Sequence, residues 1–140
     1  MPRRTYAPPI KEDALHILVA DFLNKISGSP LAPKLLWCHV PNGEYRTKAT
    51  AAKLKRMGTL AGVWDILIWG PGGTYYFIEL KRPTLTGARR KPLENQLEEP
   101  QAYFKRALVA LGVPPDRFAV ADSIELVRSA LKLWKLLPCR

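Results

Sequence analysis

Two apolar segments separated by a glycine-rich turn constrain the fold of this chain more than any other feature. Residues 64–69 and 75–81 are mostly apolar, and the run Gly70-Pro71-Gly72-Gly73 between them is typical of a turn. Two strands joined by so short a connection are expected to form an antiparallel hairpin. The chain must therefore contain a β-sheet, and the other segments have to pack around it.

The remaining segments alternate between helical and extended patterns. Apolar residues recur at spacings of three and four over residues 11–27, which predicts a first helix. Further helices are predicted over 47–57, 98–111 and 122–136, and further strands over 35–40 and 117–121. The order α β α β β α β α predicts a mixed sheet with helices on its faces, an α/β sandwich.

Two of these helices carry a start signal. Glu12 and Asp13 lie in the first turn of the first helix, where the helix dipole favours acidic side chains. The last helix is expected to open on a capping box, with Asp122 at the cap and Glu125 three residues later. The 140-residue length fits one domain, so we expect a flexible arm over 1–10 and a single domain over 11–140.

The charge balance indicates a polyanionic partner. The chain has 22 Lys and Arg against 12 Asp and Glu, a net charge of +10. Such a surface usually binds nucleic acid, because each phosphate that is neutralised releases condensed counterions. Cys38 and Cys139 are the two cysteines, and we expect both to be free thiols. Because no apolar run reaches bilayer length, we expect no membrane partner. Because the N-terminus does not resemble a signal segment, we expect a cytosolic location.

Two carboxylates and one ammonium are expected to meet on the predicted hairpin. Residues two apart in a strand point to the same face, so Glu79 and Lys81 project together while Leu80 points into the core. The hairpin brings Asp65 back beside them. Each residue alone would be ordinary: Glu79 and Lys81 could be solvated and Asp65 a turn residue. Charges tied to such apolar strands, however, are costly unless they are paired or bound to metal.

This trio has the chemistry that phosphodiester hydrolysis requires. Two carboxylates suit a hard cation such as Mg²⁺, which keeps several waters and also binds phosphate oxygens. A bound cation lowers the pKa of a coordinated water and neutralises charge on the phosphate. The lysine can orient that water and stabilise the charge that develops in the transition state.

The run Asp65…Glu79-Leu80-Lys81 resembles the signature of PD-(D/E)XK nucleases, and more narrowly the chain resembles VRR-NUC domains. The resemblance covers about residues 11–136. Its matching segments are His39–Gly43, Ala51–Gly58, Gly62–Ile68, Phe77–Pro83 and Gln101–Phe104. It implies a restriction-endonuclease-like fold with an αβββαβ core and a requirement for Mg²⁺ or Mn²⁺.

The resemblance also implies roles for individual residues. Asp65 and Glu79 would bind the metal, the main-chain carbonyl of Leu80 would be a third ligand, and Lys81 would be the catalytic lysine. Gln101 matches a glutamine that faces the site, although it could equally be a capping or surface residue. Glu12 matches an acidic position that assists the metal, with a simple dipole-stabilising acid as the alternative. The family often has proline before the first aspartate, where this chain has Trp64; we expect Trp64 and Trp69 to be core residues.

A set of basic and polar residues is expected to contact DNA phosphates, which position a strand without reading its sequence. His39 and Asn42 would contact a phosphate or a metal-bound water, although an edge histidine with a structural role is the commoner explanation. The basic residues could also be no more than a solvated surface. They are Arg46, Lys48, Lys53, Lys55, Arg56, Arg82, Arg89, Arg90 and Lys91.

The first functional hypothesis is a metal-dependent, structure-selective DNA endonuclease. Stand-alone members of the family resemble Holliday-junction resolvases, and cutting a four-way junction symmetrically needs two active sites, most simply those of a C2 homodimer. A general or flap-type DNA nuclease would use the same chemistry on another substrate. A catalytically silent DNA-binding module would bind tightly without cutting.

Overall fold

The computed structural model describes residues 12–41, 46–83 and 91–137. The side chain of Glu12 is outside this description although its backbone begins a helix. Five features of the sequence interpretation also lie outside it: the predicted arm over 1–10, Asn42, Arg89, Arg90 and Cys139. None of the helices in the described ranges is long and apolar enough to cross a membrane.

Within the described residues, four α-helices and six strands follow one another in nearly the predicted order. The helices are α1 (Glu12–Ile26), α2 (Lys48–Arg56), α3 (Glu99–Ala110) and α4 (Ile124–Leu133). The strands are β1 (Gly28–Ser29), β2 (Ala32–Pro33), β3 (Leu36–His39), β4 (Ile66–Trp69), β5 (Tyr75–Leu80) and β6 (Phe118–Ala121). The small β1–β2 hairpin was not predicted, because its two-residue strands are too short to show a period.

The main sheet has the order β3-β4-β5-β6. The β4–β5 hairpin is antiparallel, as predicted, and pairs Ile66 with Ile78 and Trp69 with Tyr75. Strand β3 is antiparallel to β4, whereas β6 is parallel to β5, so the sheet is mixed. The turn between β4 and β5 needs glycine, because Gly72 adopts a φ of 74°.

Helices cover both faces of this sheet. On one face α1 and α4 bury a core that includes Val19, Ile68, Leu80 and Leu131. On the other face α3 packs over Phe77 in a second cluster that contains Trp64 and Val113. The mixed sheet flanked by helices confirms the predicted α/β fold. Successive residues of β5 join the two clusters in turn, Ile78 and Leu80 on one face and Phe77 on the other, so Glu79 faces away from Leu80.

Two details differ from the sequence interpretation. The cap of α4 is Ser123, whose hydroxyl accepts the Leu126 N–H, so the predicted capping box was wrong in placing Asp122 at the cap. Asp122 is instead buried. Trp64 is fully buried, as predicted, but Trp69 is 40% exposed because α3 does not cover the outer part of the sheet near β3.

Candidate active site

The ends of two neighbouring strands bring the predicted trio together. Asp65 precedes β4 and lies one step beyond the pair formed by Ile66 and Ile78, directly opposite Glu79. The Asp65 N–H donates to Glu79 Oε2 at 3.1 Å, and the Leu80 N–H donates to Asp65 Oδ2 at 2.8 Å. Lys81 Nζ lies 3.6 Å from Glu79 Oε1. Each carboxylate is thus held by the main chain of the other strand.

Glu79 has an unusual environment for a carboxylate. The residue is only 3% exposed. Burial, reinforced by the neighbouring negative charge of Asp65, raises the pKa of the Glu79 carboxyl from 4.5 to about 8, although Lys81 and the Asp65 N–H oppose this shift. Near neutral pH the metal-free protein therefore keeps Glu79 protonated, and a bound cation would favour the ionised form of this carboxyl.

Gln101 connects Glu79 of β5 with Lys81, which directly follows that strand. It lies in the first turn of α3, where its Nε2 donates to Glu79 Oε1 at 2.5 Å. Its Oε1 accepts from Lys81 Nζ at 2.8 Å and from the Glu98 N–H at 2.9 Å. The amide therefore fixes the start of α3 and also holds the carboxylate and the ammonium apart at a defined distance.

The loop before Asp65 is anchored to the same helix. The indole Nε1–H of Trp64 donates to the main-chain carbonyl of Gln101 at 3.0 Å. Gly62, with a φ of 85°, lies so close to the carbonyl of Pro100 that a side chain would collide with it. VRR-NUC domains often have proline at the position of Trp64. Here the hydrogen bond from Trp64 to α3 holds the residue before Asp65 in place.

Two histidines lie on the other side of Asp65. His16 Nε2 is 3.9 Å from Asp65 Oδ2, and its ring meets that of His39 edge to face at a centroid distance of 5.0 Å. His39 Nδ1 is 3.1 Å from the Asp65 carbonyl oxygen; because that oxygen can only accept, Nδ1 carries the proton. The sequence interpretation missed His16. The available signal was its position four residues after Glu12, on the same face of α1.

A cleft of about 870 Å³, lined by both basic and acidic residues, opens beside these residues. Asp65, Glu79, Lys81 and Gln101 line one side, and α2 contributes Ala51, Leu54 and Lys55 on another. Arg46 and Arg82 also line it, so three of the predicted DNA contacts belong to the cleft. Lys53 and Arg56 line a separate surface of α2, and Lys48 and Lys91 are exposed without lining either.

The donor set fits a hard divalent cation. Within the described residues, no three His, Cys, Asp or Glu side chains are arranged as a ready metal centre. Asp65 and Glu79 nevertheless provide two adjacent carboxylates, and Mg²⁺ characteristically takes one or two carboxylates and completes its shell with waters and phosphate oxygens. Such an ion would have to displace the proton that the buried Glu79 carboxyl holds at neutral pH.

Comparison with known proteins supports the fold assigned from the sequence motifs. No family model and no curated protein matches the chain. A solved structure described as a VRR_NUC domain protein is 21% identical, with 93% of each chain covered and a TM-score of 0.61. The resemblance to VRR-NUC domains is therefore confirmed at the level of architecture, and this chain has a VRR-NUC fold.

Proposed function

We propose that the protein is a metal-dependent DNA endonuclease that hydrolyses phosphodiester bonds. The observation that carries the proposal is the pairing of Asp65 with the buried Glu79, with Lys81 beside them on the wall of a cleft that Arg46, Lys55 and Arg82 also line. If Glu79 were an ordinary surface residue, its carboxyl would be solvated and its pKa would not be raised. A buried carboxyl with a raised pKa is a common feature of functional sites.

In this proposal the residues of the site have separate roles in metal binding, charge stabilisation and phosphate binding. The carboxylates of Asp65 and Glu79, with the carbonyl of Leu80, would hold Mg²⁺ or Mn²⁺, which supplies an activated water and neutralises charge on the phosphate. Lys81 would stabilise the charge that develops on the phosphate oxygens. Gln101 positions Lys81 by accepting from its ammonium at 2.8 Å. Arg46, Lys55 and Arg82 would bind neighbouring phosphates in the cleft.

The finer part of the proposal is branched DNA as substrate and a homodimer as the active form. A net charge of +10 supports DNA as the partner, and the VRR-NUC fold supports nuclease chemistry. Symmetric cutting of a four-way junction needs two active sites related by a two-fold axis. Light scattering during gel filtration measures the oligomeric state; a monomer at micromolar concentration would contradict the dimer but leave the nuclease proposal standing.

A cleavage assay tests the activity. Four-way junction, flap, duplex and single-stranded DNA would be incubated with Mg²⁺, with Mn²⁺ or with chelator. Wild type is expected to cut the junction only with a divalent ion, and Lys81→Ala is expected to abolish cutting. Lys132→Ala, which removes an exposed lysine of α4, is the charge-matched control. Cutting of all substrates alike would favour a general nuclease, and binding without cutting under either metal would refute the proposal.

A further inference from the structure

Helix α2 has an unusual environment for a helix of a folded domain. Eight of its nine residues, Lys48–Arg56, are exposed, and Leu54 alone is half-buried. Helices of globular proteins normally bury an apolar stripe against the core. This helix contains four cations and no acidic residue, and Thr47 caps its start by accepting the Thr50 N–H. Its composition is suited to a polyanion.

The two sides of α2 face different surroundings. Ala51, Leu54 and Lys55 line the cleft that also contains Asp65 and Glu79. Ala49, Ala52, Lys53 and Arg56 recur at spacings of three and four and line a shallow depression of about 420 Å³ on the opposite side. At 100° per residue these two sets lie on opposite faces of the helix. The cations therefore flank the helix on both sides.

The dimensions of this arrangement match a groove of duplex DNA. A helix with its side chains is about 10–12 Å thick. The major groove of B-DNA is about 12 Å wide and admits an α-helix, whereas the minor groove, at about 6 Å, does not. The alanines on both sides of α2 keep the helix narrow, and the cations beside them reach toward a phosphate backbone on either side.

We propose that α2 occupies the major groove of a duplex segment beside the cut site. The strand to be cut runs through the cleft between α2 and Lys81, and the complementary strand passes along the outer face, where Lys53 and Arg56 bind its phosphates. The inference rests on the proposed nuclease function, because the cleft defines which strand is cut. It identifies the DNA next to the cut as duplex.

Salt-dependent binding tests the outer face. Duplex and single-stranded DNA would be titrated by fluorescence anisotropy in chelator, over a range of salt concentrations, with wild type and with Lys53→Ala/Arg56→Ala. Losing two phosphate contacts should make the slope of log K against log salt shallower by about 1.8 for duplex. Binding of the single strand should keep its slope, because that strand contacts only the cleft face.

The control variant removes the same charge elsewhere. Lys25→Ala/Lys132→Ala changes exposed lysines in the last turns of α1 and α4, on the other face of the sheet. It should leave the duplex slope unchanged. Equal weakening of duplex and single-strand binding by Lys53→Ala/Arg56→Ala, or no weakening, would overturn the inference. Weakening confined to branched DNA would also overturn it, and would assign the outer face to a second arm.

Chemical footprinting identifies the groove directly. Guanine N7 lies in the major groove, whereas adenine N3 lies in the minor groove. Dimethyl sulfate methylates both, so the Lys81→Ala protein bound to duplex should protect guanine N7 near the bound site. Protection of adenine N3 alone would refute major-groove binding. Footprints without wild-type cleavage would refute the proposed nuclease, whereas cleavage without N7 protection would refute only the role of α2.

Discussion

Replacing Glu79 by glutamine should change how the stability of the metal-free protein depends on pH. The carboxyl is buried beside Asp65, and this environment raises its pKa from 4.5 to about 8. In the unfolded chain the same group ionises near its ordinary value. Between these two values the folded protein keeps a proton that the unfolded chain releases, so rising pH favours unfolding.

The magnitude follows from the shift. Below pH 4.5 the group is protonated in both states, and its burial contributes no pH dependence. Between pH 4.5 and about 8 the free energy of unfolding of wild type should fall by about 1.4 kcal/mol per pH unit through this group. Above about pH 8 the loss stays constant, at up to about 5 kcal/mol.

Glu79→Gln removes this dependence but introduces a constant defect. Its amide oxygen can accept the Asp65 N–H, but its amide nitrogen would face Gln101 Nε2, which is also a donor. An unsatisfied buried donor costs about 1–3 kcal/mol at any pH. Wild type should therefore be more stable at low pH and the variant more stable at high pH, with a crossing between about pH 5 and 7.

Urea unfolding of both proteins in chelator, at half-unit intervals from pH 5 to 9, measures this difference. Glu125→Gln, which changes an exposed carboxylate at the start of α4, is the matched control and should follow wild type in parallel. A difference between wild type and Glu79→Gln that is the same at pH 5 and pH 9 would refute the reasoning, because it would mean that the buried carboxyl titrates as it does in water.

Three further predictions concern the cation, Gln101 and Gly62. Mg²⁺ or Mn²⁺ at 100 times its dissociation constant should stabilise wild type by about 2.7 kcal/mol in thermal unfolding, and Glu79→Gln should lose most of that gain; equal gains would contradict the metal site. Gln101→Ala should slow cleavage with little effect on DNA binding by anisotropy, because it frees Lys81 without removing charge; unchanged cleavage would refute its positioning role. Gly62→Ala should destabilise the fold by more than about 2 kcal/mol in urea, since it adds a collision with Pro100 to the strain of a positive φ. Gly58→Ala, with a similar φ and open space, isolates the strain, and an equal loss in both variants would rule out the collision.

The sequence predicted the hairpin and the trio on it because both depend on local rules. A two-residue period places Glu79 and Lys81 on one face, and a short turn returns the chain to Asp65. The register needed for their contact then follows from the turn itself. The mixed sheet was predicted as well, since the helix after β5 allows β6 to run parallel to it.

Features that depend on long-range packing were predicted less well. His16 is 49 residues from Asp65 in the chain, and no local pattern states that α1 crosses the end of β4. Trp69 was expected in the core, but its exposure depends on how far α3 extends across the sheet. The helical period of 100° per residue assigns the residues of α2 to two sides from the sequence alone, yet only the structure shows that one of these sides lines the cleft.

Burial of the Glu79 carboxyl beside Asp65 is unfavourable for its ionised form, and the contacts around the two residues keep them in this arrangement. Glu79 is buried on β5, a strand between β4 and β6, and its carboxyl oxygens accept from the Asp65 N–H and from Gln101 Nε2. Trp64 and Gly62 fix the neighbouring loop against α3, which keeps Asp65 beside Glu79. Two carboxyl groups held together in this way would bind a divalent cation more strongly than a flexible pair, because little reorganisation would be left to oppose binding once the ion has displaced the proton on Glu79. The same rigidity that lowers the stability of the metal-free protein at high pH would therefore raise the affinity of the proposed site for a divalent cation.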